Sequence, residues 1–122
     1  MALLGTPWAV RPPADAVWFL EDIGERPYRI HRMLTQCQQA GLFQNAKAVV
    51  FGEFVACGEP GGDPAIRDVL RDFTEGLGGP VLFGFPAGHT VGATWTLPLG
   101  VRTRILGGTR ATVIVEEAAV AP

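Results

Sequence analysis

The stretch Phe19-Leu20-Glu21-Asp22-Ile23-Gly24-Glu25-Arg26-Pro27-Tyr28-Arg29-Ile30-His31-Arg32-Met33-Leu34 most tightly limits how this chain can fold. It closes a buried apolar run, Val17 to Leu20, and then sets Glu21, Asp22 and Glu25 within five residues. Pro27 follows, and a first helical position tolerates its missing amide donor. Ile30, Met33, Leu34 and Cys37 recur at i, i+3, i+4 and i+7, which predicts an amphipathic helix from Pro27 to Ala40. Gly41 stands where a left-handed cap is wanted. Carboxylates are thus offered at a strand end, ahead of a helix N-terminus that favours negative charge.

The same logic extends along the chain. Ala16 to Leu20 and Lys47 to Gly52 read as short strands buried on both faces. Asp63-Pro64 reads as an N-cap and an N1 proline. Ile66, Val69, Leu70, Phe73 and Leu77 then predict a second amphipathic helix, and Val81 to Phe83 a third strand. Strand, helix, strand, helix, strand at these lengths implies a parallel layer. Beyond it Thr94 to Leu99, Val101 to Leu106 and Ala111 to Glu116 are rich in β-branched residues. Gly107-Gly108 supplies a hairpin turn between the last two. The expected class is α/β: a short parallel βαβαβ start followed by antiparallel strands.

Composition narrows the function. The 122 residues are 48% hydrophobic and 18% charged, so the chain can bury a modest core as one domain. A net charge of −2 with scattered basic residues argues against nucleic acid or an anionic membrane as partner. No apolar run reaches the roughly 20 residues of a membrane span. No secretory signal is evident at the N-terminus, so a cytoplasmic location is expected. Cys37 and Cys57 show neither metal-ligand spacing nor a bridge framework. Cys37 falls on the apolar helix face, as a small buried hydrophobe would.

Several blocks carry a specific likeness. F-L-E-D-I-G-E-R-P-Y-R-I-H-R-M-L-T-Q with A-G-L-F, Gly5-Thr6-Pro7-Trp8, Val49 to Phe54, and Gly84-Phe85-Pro86-Ala87-Gly88-His89 with Leu97-Pro98-Leu99-Gly100 stand in family order. Together they resemble the C-terminal half of the LD-carboxypeptidases, or muramoyltetrapeptide carboxypeptidases, serine peptidases with a Ser-His-Glu triad. The resemblance covers nearly the whole chain and implies a swivelling β/β/α domain over residues 16–118. Residues 1–15 would be an interdomain linker and 119–122 a tail. It implies an acyl-enzyme mechanism without metal or organic cofactor, acting on the L,D-amide that releases terminal D-alanine from murein tetrapeptide. A branch of the family cleaves peptidyl-nucleotide antibiotics instead. The partners implied are the substrate, the protein's own N-terminal domain and a homodimer mate.

His89 lies in a glycine- and proline-rich loop after a strand, where catalytic groups tend to be held. Without the likeness, a lone loop histidine is more often structural; the family's triad histidine falls on His89, which implies a general base and then a general acid. Glu21 falls on the triad acid, implying that it accepts the other ring N–H and fixes the tautomer. Asp22 should face the opposite way along the strand. The bland alternative is a solvated acidic turn. Glu21 is expected to stay ionised and touch His89.

His31 replaces the acid the family usually carries between its two arginines and reads as structural variation. Arg26, Arg29 and Arg32 could bind a substrate carboxylate, though arginines on a helix surface more often pair with nearby acids. Trp8 is expected to pack over a neighbouring apolar surface. The sequence contains no serine. The chain therefore cannot hold a complete triad and is expected to be either a piece of a longer protein or a natural stand-alone half, inactive alone. A surface bared by the missing domain would invite self-association. A non-catalytic binding or assembly module is the alternative from another class.

Overall fold

The computed structural model describes residues 1–108 and 110–120. Three strands form a parallel sheet in the order β1 (Val17–Leu20), β2 (Ala48–Phe51), β3 (Val81–Leu82). Helix α1 (Pro27–Gln39) joins the first two strands and α2 (Ile66–Thr74) joins the second and third. A separate antiparallel hairpin, β4 (Thr103–Leu106) and β5 (Thr112–Val115), follows. The expected α/β order is present.

Alternation along β2 divides its side chains between two environments. Val49 and Phe51 join Ile30 and Leu34 of α1 and Val69, Leu70 and Phe73 of α2 in one core. Aromatic edges knit it together: Trp18 meets Phe43, Phe43 meets Phe73, and Phe51 meets Phe54 and Phe73, each near T-shaped. Phe51 is fully buried. Burial of a side chain that size stabilises by about 2–3 kcal/mol. On the opposite face Val17, Phe19 and Val50 line a cleft of about 600 Å³ whose far wall includes Ile105 and Val113 of the hairpin. The layers are thus hairpin, sheet and helices.

Helix α1 begins at Pro27 and ends with Gly41 at φ +77, while the Leu42 amide donates to the Cys37 carbonyl at 3.1 Å. This is the left-handed glycine closure expected of the sequence. Ile30 and Leu34 are buried, and Met33 and Cys37 pack partly exposed against the core.

Three local expectations are corrected. Helix α2 starts at Ile66 with Ala65 as its cap residue, so Asp63 caps nothing; the Asp63–Pro64 peptide is cis. Thr94 to Leu99 forms no strand. Its Trp95 amide donates instead to the Pro86 carbonyl at 2.7 Å, closing a loop, while Leu97 and Pro98 line the cleft. Trp8 is 78% exposed rather than packed over an apolar surface, and residues 1–9 run through successive turns held by short-range bonds such as Leu4 to Met1. Thr109, in the β4–β5 connection, and Ala121 and Pro122, in the expected tail, lie outside the described residues.

Candidate active site

The site is built where the parallel strands end. The β1–β2 ladder continues one residue past β2, with the Gly52 amide donating to the carbonyl of Leu20 at the end of β1, at 2.9 Å. Three residues past β3, the Phe85 amide donates to the carbonyl of Phe51 at the end of β2, at 3.0 Å. Glu21 is the first residue beyond the β1 rung, so its backbone origin is fixed by the sheet. Glycines flank its side chain. A Cβ on Gly52 would lie 2.7 Å from Glu21 Cβ, and one on Gly88 would lie 2.7 Å from Glu21 Cδ. Gly88 also holds φ +74, a conformation L side chains rarely adopt. Only glycine at both places lets the carboxyl group lie against the 88–89 backbone.

There the Glu21 Oε2 atom accepts the His89 backbone amide at 3.0 Å and meets the ring Nδ1 at 2.8 Å. Partial burial pushes the carboxyl pKa up, but the two His89 hydrogen bonds and the charge of the imidazolium outweigh it. The net result lies below the ordinary 4.5. With the carboxylate ionised, Nδ1 carries a proton in either state of the ring, and in the neutral imidazole Nε2 keeps the lone pair. The His89 side chain is 55% exposed and that of Glu21 24% exposed, so the imidazole is accessible while its acid is sheltered.

The neighbouring acids do other work. Asp22 Oδ1 accepts the adjacent Ile23 amide at 2.8 Å, a local side-chain-to-backbone bond at the bend after Glu21. The turn is also tied to the 53–57 loop: the Gly24 amide donates to Val55 O at 2.9 Å, and the buried Cys57 thiol donates to Asp22 O at 3.6 Å. Burial raises the Cys57 thiol pKa, as it does that of Cys37, so neither is a ready nucleophile. Glu25 pairs with Arg29 at 3.1 Å and Arg26 with Glu59 at 3.1 Å, the ordinary fate of surface arginines. Arg32 and His31 are exposed on α1. Among the described residues no three His, Cys, Asp or Glu side chains gather in a way that could hold a metal ion.

One residue of the site was not anticipated. Glu53, two positions after β2 ends, accepts the Val91 amide on its Oε2 at 2.8 Å. Its signal in the sequence is its place in the Val49 to Phe54 block, directly after a buried strand, with no role attached to it.

A three-layer α/β domain that pairs a strand-end carboxylate with a loop imidazole holds an acid–base couple able to accept and return a proton at Nε2, in a sequence that contains no serine. Residues 1–105 match the LD-carboxypeptidase C-terminal domain, and the chain belongs to that family. A Streptomyces coelicolor protein named as a carboxypeptidase is 41% identical over 98 residues, 80% of this chain and 30% of the relative. The crystal structure of muramoyltetrapeptide carboxypeptidase from Oxalobacter formigenes is similar with a TM-score of 0.77 and 32% identity, over 92% of this chain and 39% of that one. The microcin C7 self immunity protein MccF, in its wild-type apo state, also gives 0.77 with 25% identity, over 95% and 34%. The chain spans about a third of the length of these relatives.

Proposed function

We propose that this chain is the half of a serine LD-carboxypeptidase that supplies the triad histidine, His89, and its orienting acid, Glu21. The 2.8 Å contact between His89 Nδ1 and Glu21 Oε2 carries the reading. In the complete protein, Nε2 takes the proton of a serine hydroxyl contributed by the preceding domain as its oxygen attacks the L,D-amide carbonyl. Glu21 stabilises the imidazolium that forms. His89 then returns the proton to the departing amine of D-alanine, leaving an acyl-enzyme, and activates water for its hydrolysis. No metal or organic cofactor takes part. The likeness to muramoyltetrapeptide carboxypeptidase supports murein tetrapeptide as the substrate class. The equal structural likeness to MccF favours a second reading within the family, cleavage of a peptidyl nucleotide.

The same proposal divides the chain into a lead-in over residues 1–15, the domain over 16–118 and a tail over 119–122. It places the protein in the cytoplasm as a homodimer. The test is D-alanine release from murein tetrapeptide by the complete protein, and by this chain mixed with its N-terminal half. Both should be active with the native sequence, and His89→Ala should silence both. Full activity of His89→Ala would overturn the assignment.

A further inference from the structure

The His89 loop is held at two carboxylates, and only one of them touches the imidazole. Glu21, after β1, takes the amide and ring of His89; Glu53, after the adjacent β2, takes the amide of Val91. The Val91 side chain is 84% exposed, so little apolar packing fixes that end of the loop. The Thr90 and Thr94 hydroxyls bond each other at 2.6 Å and the Trp95 amide returns to Pro86, so the loop is closed on itself. Beyond His89 the first tie to the sheet side is the Glu53 bond; further on, the Trp95 ring packs edge-on against Phe85.

Glu53 is itself firmly placed. The next residue, Phe54, is only 6% exposed, packs edge-on to Phe51 and holds φ +50. A bulky residue in that conformation persists only where its surroundings over-determine it. The buried phenyl ring therefore anchors the backbone that presents the Glu53 carboxylate to the loop.

We infer that Glu53 is a positioning residue for His89: by accepting the Val91 amide it holds the loop so that the ring Nδ1 faces Glu21 rather than solvent. The inference rests on the reading of His89 as the general base, but what it states is geometric. Loss of the Glu53 bond releases one end of a short loop whose other end is the imidazole. The ring then samples orientations away from Glu21, and the proton shifts from Nδ1 towards Nε2, the wrong tautomer for a base.

The test uses the 122-residue chain labelled with ¹⁵N, compared as native, Glu53→Ala, Glu53→Asp and Glu53→Gln, with Glu21→Gln as reference for a broken pair. The shorter Glu53→Asp withdraws the acceptor without opening a cavity, so it remains informative if Glu53→Ala does not fold. In Glu53→Asp and Glu53→Ala, Val91 amide exchange should speed about five- to tenfold, and the His89 ring nitrogens should move towards their shifts in Glu21→Gln. Glu53→Gln retains an acceptor oxygen and should restore the native pattern. Unchanged His89 nitrogens in Glu53→Asp would overturn the inference, as would Glu53→Gln behaving like Glu53→Asp. Because these are spectroscopic readouts on this chain, they stand apart from whether the complete protein hydrolyses D-alanine peptides.

Discussion

A single oxygen of Glu21, Oε2, receives both the backbone amide and the ring nitrogen of His89, at 3.0 and 2.8 Å. The residue that orients the imidazole thereby also fixes the peptide carrying it, so ring and backbone cannot drift independently.

Glu21→Gln tests that relationship chemically. The carboxamide retains the shape but cannot stabilise an imidazolium or enforce the Nδ1–H tautomer. In the complete protein kcat for D-alanine release should fall by about 10³–10⁴ with KM little changed. A fall of less than about tenfold would remove Glu21 from the triad.

Acid should weaken the fold through the same group. The carboxyl pKa lies below its ordinary 4.5 in the folded chain, so the unfolded chain binds the proton more readily. The stabilisation is fully present above the unfolded value and is lost as pH falls through the folded one. Urea titrations of the native chain and Glu21→Gln should therefore show the full contribution of the carboxylate only above the ordinary 4.5, and the difference should shrink as pH falls below it. A difference that grows on acidification would contradict this.

Gly88→Ala should do damage out of proportion to one methyl group. Its Cβ meets Glu21 Cδ at 2.7 Å and its φ is +74, so strain and collision add. We expect a loss of about 2–3 kcal/mol and a broken Glu21–His89 pair. Gly84→Ala is the matched comparison. It carries φ +73 with nothing within 4 Å and should cost only about 1 kcal/mol, leaving the pair intact. Equal effects at the two glycines would show that the crowding at Gly88 is irrelevant.

Phe51→Ala should destabilise by about 3–5 kcal/mol in urea melts, because the ring is fully buried among Phe54, Phe73 and Phe83. A loss under about 1 kcal/mol would mean that the core collapses to fill the space.

The elements whose signal is burial were legible in the sequence. A run such as Ala48 to Phe51, or the Ile30–Leu34 spacing, has few alternatives to a core strand or a helix face. Thr94 to Leu99 was misread because β-branched residues report only local preference, and the segment finds no ladder partner. The Asp63-Pro64 signal for a helix start was sound in kind, yet the chain turns before the helix begins at Ile66. For the site, Glu21 and His89 are 68 residues apart, and no local pattern joins them. They were paired through resemblance to a family, and the coordinates supply the distance. Glu53 stands in the Val49 to Phe54 block of that likeness, but the likeness attaches no role to it. Its function depends on where a loop returns, which only the folded chain specifies.

Leu20 and Phe51 are direct partners across the parallel ladder, and the two carboxylates leave the sheet one and two residues beyond them. Neighbouring strands lie about 4.8 Å apart in any such sheet, so backbone architecture acts as the jig on which the imidazole is mounted. The outer bend from Gly92 to Ala93 is relieved of that duty. Substitutions there should leave the Glu21–His89 and Glu53–Val91 contacts undisturbed.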